Sequence, residues 1–182
     1  MVLLGSSLCD FGSKIIDFSL QNVDEKVYTL NELIGPNGTL IMFICNHCPY
    51  VKAIIPRLLE TTQSLKKKGI NSIAIMPNNT KDYPEDSFEN MIKFSKLHNF
   101  NFPYLIDKTQ SIAKAYGAVC TPDFFGYNKS GELNYRGRLS EMKDLKFVND
   151  KNELLDAMLL ISSTNKGPIK QFPSFGCSIK WY

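Results

Sequence analysis

The chain lacks a long hydrophobic run. None of its apolar stretches reaches the ~18 residues a membrane-spanning helix needs, so no membrane partner is expected. It also lacks the start of a secretion signal: Met1 to Ser7 carries no positive charge, and Val2-Leu3-Leu4 is far shorter than such a signal's apolar core. A cytoplasmic protein is the expectation. Charge of one sign is scarce, with 21 Lys and Arg against 18 Asp and Glu. No basic stripe marks a nucleic-acid binder. The one lysine run, Lys66-Lys67-Lys68, sits where a helix should end and complements its dipole. Repeats, linkers and low-complexity stretches are missing, which gives a single domain over 1–182 with an irregular tail from about 164 to 182. Cysteine is present in an odd number, five, and without a secretion signal that argues against a structural disulfide framework.

What is present reads as alternating strands and helices. Asp17-Phe18-Ser19-Leu20 and Val27-Tyr28-Thr29-Leu30 suit a short hairpin. Thr39 to Ile44 is almost uniformly apolar, as in a strand buried on both faces. Tyr50 to Lys68 has helical spacing, with Pro56 expected to kink or restart it and Gly69 to stop it. A strand over Ile70 to Met76, a helix over Pro84 to His98, a strand over Phe102 to Ile106 and a short helix over Thr109 to Tyr116 follow. Two strands, Asp123 to Tyr127 and Glu132 to Arg138, flank the turn Asn128-Lys129-Ser130-Gly131, and Lys151 to Ser162 is the last helix. This order predicts an α/β fold whose sheet is parallel first and antiparallel at a late edge.

The chemistry concentrates in Cys45-Asn46-His47-Cys48, between a buried strand and a helix. Three residues of separation let the two sulfurs bond where a helical turn begins. The unpaired N–H groups of the helix start favour an anion, and the thiolate is the reactive form of cysteine. A thiol of pKa ~8.5 is about 3% ionised at pH 7; a helix end is worth up to about 1.5 pKa units, and a protonated His47 would add to it. Cys45 precedes the helix, is expected to be the more exposed, and is assigned as the attacking sulfur, with Cys48 resolving. The competing reading is half of a zinc site, but a second Cys-x-x-Cys or a closely spaced His pair is missing. Thr121-Pro122 opens a strand, where a proline's missing donor is tolerated.

These residues resemble the thioredoxin-like superfamily, and within it the redoxin (AhpC/TSA, peroxiredoxin-like) group. The resemblance is carried by Asp17-Phe18-Ser19-Leu20, by Met42 to Lys52 around the Cys45-Asn46-His47-Cys48 motif, and by Tyr83-Pro84-Glu85-Asp86-Ser87-Phe88. It continues through Tyr116 to Phe125, Tyr135-Arg136-Gly137-Arg138 and Gly176 to Trp181. It implies a three-layer α/β/α sandwich on a central mixed sheet with an N-terminal hairpin extension. It further implies a cis Pro122 facing the cysteine pair, with Asn46, Thr121 and Pro122 contacting substrate and Thr121 backbone groups free to pair with a peptide. The chain departs from the pattern at Ile44, where thioredoxins carry an aromatic before the first cysteine, and at two further points. Cys45 stands where peroxiredoxins have a threonine three residues before their Cys-Pro, and no acidic residue lies on the strand before the motif. Proton transfer must then use His47 or water.

The expected function is thiol–disulfide exchange in redox homeostasis on a disulfide-containing protein or small molecule. An external thiol reductant resets the pair, and neither an organic cofactor nor a metal is required. A thiol-dependent peroxidase with an antioxidant role, acting on peroxide, is the enzyme alternative. A metal-binding or chaperone-like module using Cys45, Cys48 and Cys120 is the non-enzyme one. Cys120 reads as a small buried residue or a third redox thiol, and Cys177 as part of a packed tail or an extra resolving cysteine. Arg136 and Arg138 alternate along one strand and read as solvated surface charges.

Overall fold

The computed structural model describes residues 3–5 and 10–182. Cys9, the fifth cysteine, falls in a loose N-terminal stretch of the sequence where no role is expected for it, and it lies outside the described residues. A hairpin of β2 (Ser19–Asn22) and β3 (Val27–Thr29) runs into a single helical turn, α1 (Leu30–Leu33), and then β4 (Gly38–Phe43). All six residues of β4 are buried. α2 (Pro49–Lys66) follows, then β5 (Ile70–Met76), a 3-10 turn at Pro84–Asp86, α3 (Phe88–Leu97), β6 (Tyr104–Ile106) and α4 (Ser111–Ala115). β7 (Cys120–Thr121) and β8 (Asp123–Tyr127) flank Pro122, and β9 (Leu133–Gly137) closes the late hairpin. A small ribbon of β10 (Met142–Lys143) and β11 (Lys146–Phe147) precedes α5 (Glu153–Thr164).

The central sheet has the order β3-β2-β6-β5-β4-β8-β9. β4, β5 and β6 are parallel, and β8 and β9 are antiparallel, as the alternating pattern predicts. Alternation along β4 builds both faces. Leu40, Met42 and Ile44 point to the layer of α2, α3 and α5, while Ile41 and Phe43 point to the layer of α1 and α4. This is the expected α/β/α sandwich. α2 runs unbroken through Pro56, so the expected kink or restart is not a break. Gly69 stops it at φ 73°, the left-handed conformation open to glycine.

Two expectations need correction. The tail is not wholly irregular: Phe175–Ser178 forms β12, which pairs antiparallel with β7 on one edge and with β1 (Leu3–Gly5) on the other. Arg136 is not on the surface. Its Nη2 donates to Asp123 at 3.2 Å and to the Gly117 carbonyl at 2.7 Å, and its guanidinium stacks 4.6 Å over Phe125. Outward alternation fails there because the partner Asp123 is itself buried beneath the strand. Arg138 forms a bidentate pair with Glu153.

The two apolar layers meet the sheet at residues such as Phe43, fully buried and edge-on to Tyr116 and Phe125 at 5.4 and 5.7 Å. Phe43→Ala is expected to cost about 3–5 kcal/mol of stability through transfer and cavity terms. A lower urea midpoint at unchanged m would show it.

Candidate active site

β4 delivers Cys45 to the C-terminal edge of the sheet, and Cys48 is the N-cap of α2, followed by Pro49 in the first turn. The Thr121–Pro122 peptide is cis, as the resemblance implies. Thr121 faces the pair: its Oγ1 is 3.2 Å from Cys45 Sγ and its carbonyl is 3.2 Å from Cys48 Sγ. Cys177 Sγ, on β12, lies 2.9 Å from Cys48 Sγ.

Cys45 is not the exposed member of the pair; both sulfurs are fully buried. The start of α2 and the neighbouring thiols favour a negative charge on Cys48. Burial, then the Cys48 sulfur and the negative charge of Asp86, push the Cys45 thiol well up. Hydrogen bonding from Cys45 brings Cys48 down to about 5 against the opposing cost of burial, with Cys177 and the Val51 N–H of the first α2 turn adding to the drop. As a thiol, Cys48 donates to the Thr121 carbonyl; as a thiolate it accepts from its two cysteine neighbours. The helix start acts on the residue that caps it, and that residue is Cys48 rather than Cys45.

The missing acidic residue comes from elsewhere. Asp86, fully buried in the 3-10 turn, reaches under the motif from 39 residues beyond His47. Its Oδ1 accepts from the N–H groups of Asn46 (2.8 Å) and His47 (3.2 Å). Its Oδ2 accepts from His47 Nδ1 (2.6 Å) and Asn78 Nδ2 (2.7 Å). The His47 contact then lowers the Asp86 pKa despite burial, and Asp86 raises that of His47. With Nδ1 committed to Asp86, His47 keeps Nε2 for proton exchange. The ring stacks on Tyr83 at 5.6 Å. Sulfur, imidazole and carboxylate atoms of Cys45, His47 and Asp86 lie within 4.8 Å of one another. That set has donors a metal accepts, but the four N–H groups already on Asp86 fit a proton relay better than a ligand.

Asn46 is buried, and its side chain is used by the fold: the amide donates to the Glu85 carbonyl and the oxygen accepts from the Tyr104 hydroxyl. It shapes the loop rather than facing a substrate. The Thr121 backbone edge expected to receive a peptide already pairs with β12, Cys177 opposite Thr121. Cys120 points the other way along β7. Its thiol is directed to the Pro122 carbonyl at 3.6 Å and burial pushes its pKa up, so it does not join Cys45 and Cys48 in a common cluster. Beside Pro122 opens a cavity of about 280 Å³, lined by Tyr50, Ile54, Phe124, Leu139, Met142 and Phe175 among others.

The AhpC/TSA family's sequence profile matches residues 11–136. The chain belongs to the AhpC/TSA family. As a member of it, the protein is an oxidoreductase. It is 27% identical over 127 residues to the thiol-disulfide oxidoreductase ResA of Halalkalibacterium halodurans, covering 70% of this chain and 68% of that one. An uncharacterised conserved protein from Geobacillus kaustophilus has a solved structure with TM-score 0.94 and 39% identity, covering 100% of this chain and 97% of that one. A hypothetical protein from Sinorhizobium meliloti 1021 matches at TM-score 0.90 and 33% identity, over 98% of both chains. A thiol:disulfide interchange protein DsbE from Chlorobium tepidum, described as putative, shares the thioredoxin fold at TM-score 0.60 and 20% identity, over 70% of this chain and 84% of that one.

Within this AhpC/TSA site, sequence reasoning missed Asp86, Asn78 and Tyr104. Asp86 lies in the segment Tyr83 to Phe88 that carries the family resemblance, and Pro84-Glu85-Asp86 reads locally as a helix opening. His47 is more basic folded than unfolded, so its stabilising contribution is complete below the ordinary value of 6.5 and fades as pH rises through the raised value. Asp86 has the opposite sign, contributing above its ordinary 3.8 and losing that contribution as pH falls. Asp86→Asn is expected to lower the His47 pKa, read by NMR titration of the ring, and to cost roughly 1–3 kcal/mol in unfolding free energy. An unmoved His47 titration would remove the carboxylate from this role.

Proposed function

We infer that this protein catalyses thiol–disulfide exchange with Cys48 as the attacking sulfur and Cys45 as the resolving one. The observation that carries the reading is the Cys48 sulfur at the mouth of α2, where it caps the helix and has the Cys177 sulfur at 2.9 Å, an arrangement that lowers its pKa. The similarity to ResA, a thiol-disulfide oxidoreductase by name, supports the same reaction class.

The Cys48 thiolate attacks one sulfur of a substrate disulfide, and the other substrate sulfur leaves as a thiolate. Cys45 then gives its proton to His47 Nε2 and attacks Cys48. The Cys45–Cys48 bond forms as the Cys48–substrate bond breaks, and the departing sulfur takes up the proton. An external thiol reductant restores the pair, with a reducing cytoplasm as the setting. The substrate is a disulfide of a protein or a small molecule.

A second reading, thiol peroxidase, draws on one observation: both sulfurs are fully buried, which favours a small oxidant. In that reaction the Cys48 thiolate takes one oxygen from hydrogen peroxide to give a sulfenic acid, and Cys45 condenses with it, releasing water.

Thiolate absorbance of the reduced protein is expected to show one step near pH 5, lost in Cys48→Ser and moved upward in Cys45→Ser. Reduction of the aromatic disulfide dithionitrobenzoate is expected to fall roughly a thousandfold or more in Cys48→Ser. The double variant Cys45→Ser/Cys177→Ser, with neither neighbouring thiol left, is expected to stop at a mixed disulfide on Cys48. An acid step that survives Cys48→Ser would overturn the assignment. Stopped-flow oxidation by hydrogen peroxide separates the second reading: a rate no faster than that of a free thiol leaves disulfides as the substrate.

A further inference from the structure

The sulfur of Cys48 has two cysteine neighbours, and the proposed exchange uses only one. Cys177 lies 2.9 Å away, so closing to a disulfide length of ~2.05 Å needs a movement of less than about 1 Å. Its position is built, not incidental. β12 is hydrogen-bonded along β7 with Cys177 opposite Thr121, the residue whose carbonyl also touches Cys48. Gly176 permits this approach, since a Cβ there would sit 2.1 Å from the Thr121 carbonyl oxygen. The chain is then clamped on both sides. Before the strand, Ser174 Oγ donates to the Gly137 carbonyl at 2.6 Å. After it, the Ile179 N–H donates to Val119, and the Lys180 backbone meets Asn78, Asn79 and Gln110. A surface tail that merely packed would not need that set of contacts around one buried thiol.

We propose that Cys177 is a third redox sulfur, which exchanges into the disulfide formed at Cys48 and so bonds the C-terminal strand to the start of α2. The step rests on the exchange reaction proposed above, which supplies the Cys45–Cys48 disulfide. The Cys177 sulfur, as thiolate, attacks Cys48. The Cys48–Cys177 bond forms as the Cys45–Cys48 bond breaks, and Cys45 leaves as a thiolate that takes the proton Cys177 released. No net oxidation occurs and no further reactant is needed. While Cys48 is ionised, burial and the adjacent Cys48 sulfur hold the Cys177 thiol up at about 12. Once Cys48 is in a disulfide its charge is gone, so that part of the barrier to Cys177 ionisation is removed. The result is a strand covalently held over the Thr121 edge, with Cys45 returned to the thiol form.

The test oxidises the full chain with a small excess of diamide, quenches in acid at intervals, blocks remaining thiols and maps disulfides by mass spectrometry. The wild type is expected to show Cys45–Cys48 first and then Cys48–Cys177 growing as the first linkage declines. Cys45→Ser is expected to give Cys48–Cys177 as its only intramolecular linkage, and Cys177→Ser only Cys45–Cys48. No Cys48–Cys177 linkage at any time in the wild type overturns the proposal, and that map needs no variant to fold. The two readings fail separately. Cys45–Cys48 without any Cys177 linkage sinks the third sulfur and leaves the exchange pair standing. A Cys177→Ser protein that folds but forms no Cys45–Cys48 bond sinks the exchange pair, and with it the step proposed for Cys177.

Discussion

An ionised carboxylate taken out of water costs several kcal/mol unless its lone pairs are filled. Asp86 meets that condition with two backbone N–H groups from the motif itself, one imidazole and one amide. The geometry of residues 45–48 depends on this. The N–H groups of Asn46 and His47 have no strand or helix partner between the end of β4 and the start of α2, and Asp86 supplies one to both. The loop is thereby held in the shape that leaves Cys45 at the sheet edge and Cys48 at the helix cap. Tyr104 and Glu85 fix the Asn46 side chain from the two remaining sides.

The same network extends to the C-terminal strand through one side chain. Asn78 donates to Asp86 Oδ2 and accepts from the Lys180 N–H, three residues beyond Cys177. Lys180 in turn places its ammonium 5.6 Å from the ring of Tyr83, on which His47 stacks. The histidine, the carboxylate and the strand carrying Cys177 are therefore parts of one packed arrangement. Displacing β12 would disturb Asn78 and reach Asp86, so access to the sulfurs and the basicity of His47 are physically linked.

Periodicity and punctuation carried most of the fold. The apolar run before Cys45, the helical spacing after Cys48 and the Asn128–Gly131 turn each have a local signature, and the structure has β4, α2 and the β8–β9 hairpin there. The pair of cysteines was legible for the same reason, since a strand-to-helix junction can be read from neighbours alone. What was not legible required partners far apart in the chain. Asp86 meets His47 across 39 residues, and Arg136 finds Asp123 across 13. Neither pairing leaves a periodic trace. β12 was hidden because four residues among glycine and prolines form a strand only when β7 and β1 offer edges. The burial of Cys45 left no local trace either, since the side chain against its sulfur is Thr121, 76 residues away.

In the proposed exchange, a charge on Cys48 rather than on Cys45 follows from the negative group already in place. A Cys45 thiolate would lose its hydration and be opposed by the Asp86 carboxylate, whose oxygen lies within 4.8 Å of the Cys45 sulfur. Cys48 instead has a helix start and two thiols as donors. Its charge then acts on its neighbours: it helps to raise His47 and to keep Cys45 and Cys177 protonated. Forming a disulfide at Cys48 removes that charge. The two waiting thiols then ionise more readily, while His47 binds its proton less tightly. In the proposed exchange, Cys45 and Cys177 are thus kept protonated by the thiolate that reacts first, and they ionise more readily once it has been consumed.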